Sequence, residues 1–127
     1  MDEPVKVDLL GRSHTLTMPD YSTREELIVA YGDCRNRGGV ALLRAYSAAL
    51  GLCTRLGREA EADYAKHRFD VLSYGGEMYS WLRGKGLQPK DIAQAAVPII
   101  VAVSQATFPR QGEVEDAAKN SEAGEAS

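Results

Sequence analysis

The sequence predicts a mainly α protein: an N-terminal β-hairpin, then a bundle of four or five helices, then a disordered acidic tail. Three observations carry this expectation. Residues 5–18, VKVDLLGRSHTLTM, alternate with a period of two. Residues 23–106 carry apolar side chains at spacings of three and four, punctuated by glycine and proline. Beyond Pro109 almost nothing apolar remains to be buried. A period of two marks a half-buried strand and a period near 3.6 an amphipathic helix, while a polar, charged segment cannot offset the entropy of ordering it. A chain of 127 residues and 13.8 kDa has room for one core. The expected organisation is one domain over residues 1–108, with hairpin 5–18 and helices 23–106, and a tail over 109–127.

In the hairpin, Val5, Val7 and Leu9 alternate with Lys6, Asp8 and Leu10, and beyond Gly11-Arg12, Thr15 and Thr17 alternate with Leu16 and Met18. Two strands alone are marginal, so the hairpin must lean on helices or pair with another copy. Pro19-Asp20 ends it, and Ser22-Thr23-Arg24-Glu25 has the form of a capping box, which starts a first helix at about 23 and carries it to about 31. GDCRNRGG, residues 32–39, reads as loop or helix end. Val40, Leu43, Tyr46, Ala49, Leu50, Cys53 and Leu56 then define a central second helix that Gly57 should break.

Residues 58–86 read as one long helix bent at Gly75-Gly76 or as two helices joined there, with Ala65, Phe69, Leu72, Gly76, Tyr79 and Leu82 on one face. Asp63 and Asp70 flank Lys66-His67-Arg68 and are expected to pair with them along a solvated helix face. After Gly84-Lys85-Gly86, Pro89 and Asp91 suit the start of a last helix. Pro98, ten residues in, should kink or divide that helix.

Composition narrows the function classes. Glu113, Glu115, Asp116, Glu122 and Glu125 against Arg110 and Lys119 account for the whole net charge of −3, which leaves residues 1–108 neutral. A neutral body gives no electrostatic reason for nucleic acid as the main partner. The acidic N-terminus has no signal-peptide pattern and the longest apolar run, residues 95–106, is too short for a bilayer, so a cytoplasmic protein is expected, with no membrane partner. Gly84-Lys85 fails the phosphate-loop spacing, because Tyr79 stands where glycine is needed and Gly86 where Ser or Thr is needed. His14, His67, Cys34 and Cys53 fall at no metal-ligand spacing, and no nucleophile or acid–base motif is present. The expectation is a protein that is not an enzyme, with no catalytic residue, no cofactor and no metal. Residues 78–96 could form a helix-turn-helix, yet the residues that should read bases are Ala95, Ala96, Val97, Pro98, Ile99, Ile100 and Val101.

Three local features resemble the small tail assembly chaperones of long-tailed bacteriophages. The opening VDLLGRSHTLTMPDYSTREELIVAYGD resembles their strand, glycine-containing turn, strand and capped helix. The middle SYGGEMYSWLRGKGLQPKDIAQAA resembles their aromatic-glycine pair, apolar helix ending in Leu, glycine, and next helix opening with an acidic residue and Ile. The acidic end resembles the point at which such proteins are extended by a programmed translational frameshift. The resemblance implies a non-enzymatic factor that binds the tape-measure protein, keeps its apolar helices soluble and recruits tail-tube protein in the host cytoplasm. A binder of apolar helix needs a groove of aliphatic and aromatic side chains; Tyr79, Trp81 and Leu82, with Ile99, Ile100 and Val103, are the candidates. Tyr79 and Trp81 cannot face the same way on one helix, so one of them is available to an interface. A homo-oligomer, formed through the hairpin edge or the helical faces, is expected of a coating protein. The alternatives are a small helix-turn-helix-like DNA-binding regulator and a generic helical protein-interaction module.

Overall fold

The hairpin forms where the alternation places it, with its turn one residue earlier than the pattern suggests. In the computed structural model, which describes residues 5–108, β1 (Lys6–Leu9) pairs antiparallel with β2 (Arg12–Thr15), Val7 opposite His14 and Leu9 opposite Arg12. The expected acidic tail, residues 109–127, lies outside the described residues. Leu10 and Gly11 both take positive φ, 56° and 74°, the conformation of a two-residue hairpin turn whose twist matches that of the strands. Val7, Leu9 and His14 face inward while Lys6, Asp8, Ser13 and Thr15 face out.

Helix α1 spans Tyr21–Arg35, longer at both ends than expected. Its cap is Asp20, whose carboxylate accepts the Thr23 N–H at 2.8 Å, and not the Ser22 capping box. Residues 32–35 are helical because Cys34 is fully buried and holds the last turn against the core. Gly38 and Gly39 then turn the chain at φ 63° and 59°, a region that glycine enters without steric cost.

Helix α2 spans Gly39–Cys53 and α3 spans Leu56–Glu59. The break falls at Thr54, which is extended (φ −139°, ψ 179°); its hydroxyl accepts the Leu56 N–H at 3.1 Å. Gly57 lies inside α3 and breaks nothing.

The stretch 58–70 departs most from expectation. Instead of one long helix, α3 ends at Glu59 and residues 60–70 form a loop around one 3₁₀ turn, Tyr64–His67, with Arg68 and Phe69 both at positive φ. The aspartates explain this. Asp63 caps the 3₁₀ turn by accepting the Ala65 N–H at 3.0 Å, and Asp70 caps α4 (Val71–Gly84) by accepting from Leu72 and Ser73 at 3.0 and 3.1 Å. They are helix starts, not partners of Lys66 or Arg68. The buried face of α4 is Val71, Tyr74, Gly75, Met78 and Leu82, so Ala65 and Phe69 are exposed.

Gly75-Gly76 neither bends nor divides α4. A Cβ on Gly75 would stand within 3 Å of the Arg44 carbonyl group, so this glycine lets α4 cross α2 in backbone contact, whereas a Cβ on Gly76 would meet nothing closer than 3.6 Å. Gly51 and Gly57 likewise leave room for the Tyr74 hydroxyl. Gly86, at φ 91°, turns the chain into α5 (Pro89–Thr107). Pro89 takes the first position and the Asp91 carboxylate accepts the Gln88 N–H at 3.0 Å. Helix α5 continues across Pro98 undivided. The proline is exposed, so the carbonyl it leaves without a helical donor, that of Gln94, also an exposed residue, can be solvated.

One cluster of buried side chains joins the hairpin (Val7, Leu9), α1 (Leu27), α2 (Leu50), α4 (Met78, Leu82) and α5 (Ile92, Ile99, Val103). Each large aliphatic side chain so buried contributes roughly 1.5–3 kcal/mol. No helix among the described residues is long and apolar enough to cross a membrane.

Candidate functional site: a strand-edge groove and the outer face of α5

Four of the six residues expected to line a partner groove belong to the core. Leu82, Ile99 and Val103 are fully buried and Ile100 is 5% exposed, so they hold the helices together and present nothing to a partner. Tyr79 and Trp81 are half-buried and pack against that core. Trp81 keeps one ring face toward Lys85, whose ammonium stands 5.4 Å from the ring centroid.

The apolar surface of α5 lies on the opposite side of the helix. Val97 and Val101 are 44% and 48% exposed and stand about one turn apart on the outer face of α5, and Phe108, its extended C-cap residue, is 38% exposed. Gln94 and Gln105 flank this pair. The sequence pattern missed it because nearly every residue from 95 to 103 is apolar, so periodicity cannot tell the inner face from the outer one. Pro98 was the available signal: a proline within a helix favours the side where water can reach the freed carbonyl.

Beside this pair lies a groove of about 620 Å³ between β1 and the first half of α5, lined by Lys6, Asp8, Leu87, Asp91, Gln94 and Pro98 among others. One wall is the hairpin: β1, its turn and the start of β2. The Leu16 N–H donates to the Val5 carbonyl at 2.8 Å, and ladder bonds alternate along an antiparallel pair. Val5, Val7 and Leu9 therefore bond inward to β2, while the N–H and C=O of Lys6 and Asp8 point outward. Among the described residues no backbone group bonds to this outer edge of β1. On the β2 side, helices stand near the ends of the strand. The Thr17 N–H donates to the Cys53 carbonyl at 2.7 Å, and Arg12 pairs with Glu59 at 2.6 Å. The Arg12 guanidinium holds the Glu59 carboxyl below its usual range.

One polar constellation escaped the sequence reading. His67 Nδ1 lies 2.8 Å from Ser73 Oγ and His67 Nε2 lies 2.5 Å from Glu77 Oε2. A hydroxyl, an imidazole and a carboxylate in line have the order of an activated nucleophile, but acyl transfer also needs free donors for the oxyanion. Here the N–H groups of Leu72 and Ser73 are both taken by Asp70. Ser73 stands on the exposed side of α4, outside the groove. The arrangement clips the 3₁₀ turn to α4.

His14 is buried, with its Nε2 3.1 Å from the Leu9 carbonyl oxygen, and does not stand free on the hairpin. Cys34 and Cys53 are free and buried, and burial pushes the Cys53 thiol up to about 12. Among the described residues no three His, Cys, Asp or Glu side chains come together as a metal would require. Compared with known proteins, the chain matches no family profile, no curated protein and no solved structure.

Proposed function

We propose that this protein is a non-enzymatic assembly factor of the phage tail chaperone kind, acting in the host cytoplasm, which holds apolar segments of a tape-measure protein on the outer face of α5 until tail-tube protein assembles around them. The observation that carries the reading is the exposed apolar pair Val97 and Val101 on α5, with Phe108 exposed at its C-cap. Apolar side chains grouped on one exposed helix face are a usual mark of a binding face, and an amphipathic partner helix docks through such anchors. The resemblance of the hairpin, the capped first helix and the glycine-linked α4–α5 pair to the tail chaperones supports the choice of partner. The DNA-binding alternative finds no comparable support, since the exposed positions of α5 hold no arginine and only Lys90 as a cation.

Co-expression tests the reading. With the adjacent tape-measure gene in the same cells, the full chain should bring the tape-measure protein into the soluble fraction and co-purify with it. A tape-measure protein that stays insoluble, or that is soluble but unbound, would contradict it.

A further inference from the structure

We infer that the outer edge of β1 is a self-recognition site, at which two copies of this chain join their hairpins into one four-stranded antiparallel sheet. The inference rests on the hairpin and its edge, not on the identity of any partner of α5.

The edge offers four main-chain groups, the N–H and C=O of Lys6 and of Asp8, and the neighbouring groove leaves space alongside them. An unpaired edge of this kind is a template for another strand. A second copy fits it in one register better than in any other. With a two-fold axis at Val7, Lys6 stands opposite Asp8 of the other copy and Asp8 opposite Lys6, so all four outward groups pair. The exposed face of the joint then carries two Lys–Asp pairs. On its inner face Val7 meets Val7, and Val5 meets Leu9, all apolar.

The two registers nearest to this one keep the same hydrogen-bond phase but fail on charge. An axis at Lys6 sets lysine against lysine, and an axis at Asp8 sets aspartate against aspartate. Opposite charges directly across a strand pair stabilise it and like charges oppose it, so the alternation Lys6, Val7, Asp8 selects the Val7 axis. Edge strands are commonly blunted by lysine; here Asp8 supplies the counter-charge that lets the edge close on itself. On the β2 side, Thr17 just beyond the strand is tied to the end of α2 and the Arg12 side chain to α3, so helices stand next to that edge.

Charge exchange on the full chain tests this directly. Sedimentation of the wild type at tens of micromolar should give a species of twice 13.8 kDa, or larger assemblies containing it. Lys6→Asp places four carboxylates at the joint and Asp8→Lys places four ammoniums, so each variant alone should self-associate at least about tenfold more weakly. An equimolar mixture of the two should recover the paired species, since each acidic strand then faces a basic one. Lys6 and Asp8 are exposed and, among the described residues, neither is in an ion pair, so circular dichroism should show both variants folded. A monomeric wild type, variants that associate as the wild type does, or a mixture that fails to recover would each overturn the inference. Val101→Asp, which should abolish binding by α5, should leave this association unchanged, so the two proposals fail separately.

Discussion

Gly75 and Gly76 are adjacent and identical in the sequence, and their surroundings are opposite. The Gly75 hydrogen faces the Arg44 carbonyl, where an added methyl has no room, while the Gly76 position is open apart from ordinary contact with the Arg44 side chain. Gly75→Ala should force α2 and α4 apart and destabilise by about 3 kcal/mol or prevent folding. Gly76→Ala should stabilise by roughly 0.5–1 kcal/mol through helix propensity alone. Thermal melts of the two variants check this, and a shift in the same direction for both would contradict the helix crossing. The sequence announced a close approach or a bend at this pair, but only the facing backbone of α2 decides which glycine is indispensable. Leu82 carries the same lesson. Read as a partner contact, it is a core residue, and Leu82→Ala should cost about 2–5 kcal/mol of stability. Denaturant titration should show this loss with no partner present.

Among the elements, those built on periodicity and on strong local signals were legible. The hairpin, α2 and the start of α5 at Pro89 all followed from alternation, apolar spacing and the proline–aspartate pair. The segment 58–70 was not legible, because a short aspartate accepting backbone N–H groups caps a helix as readily as it pairs with a lysine, and composition alone does not separate the two roles. Asp70→Ala should therefore destabilise by about 1 kcal/mol, the usual effect of losing such a cap. Asp70→Asn, which can still accept those bonds, should recover most of it in the same melts. The buried face of α5 was legible as apolar but not as inward-facing, and that single ambiguity moved the candidate binding residues from Val97, Val101 and Phe108 to Ile99, Ile100 and Val103.

For the whole molecule, pH should act from both sides. The Asp20 carboxyl is held low chiefly by hydrogen bonding to Thr23, and the Glu59 carboxyl by its bond to Arg12. Folded values below the unfolded ones mean that their contribution is present above the ordinary carboxylate range and lost as pH falls below about 4. At the other end, burial raises Cys53 and Tyr64 to about 12 and raises Tyr74 as well. These groups stabilise the fold below their unfolded values and lose that contribution as pH climbs from roughly 9 toward 12. Melting temperature should thus be level near neutrality and fall at both extremes. At pH 8 neither thiol should react with a disulfide reagent until the protein unfolds, because both cysteines are fully buried. Rapid labelling of a native thiol would contradict this core. One continuous core, a β1 edge with no backbone partner among the described residues and exposed apolar side chains on α5 are the features on which the proposed association rests. The most direct measurement of that association is a calorimetric titration of an amphipathic tape-measure segment into the purified full chain and into its Val101→Asp variant. The account predicts saturable binding with a negative heat-capacity change for the wild type and at least about a tenfold loss for the variant; no binding, or equal binding by both, would contradict it.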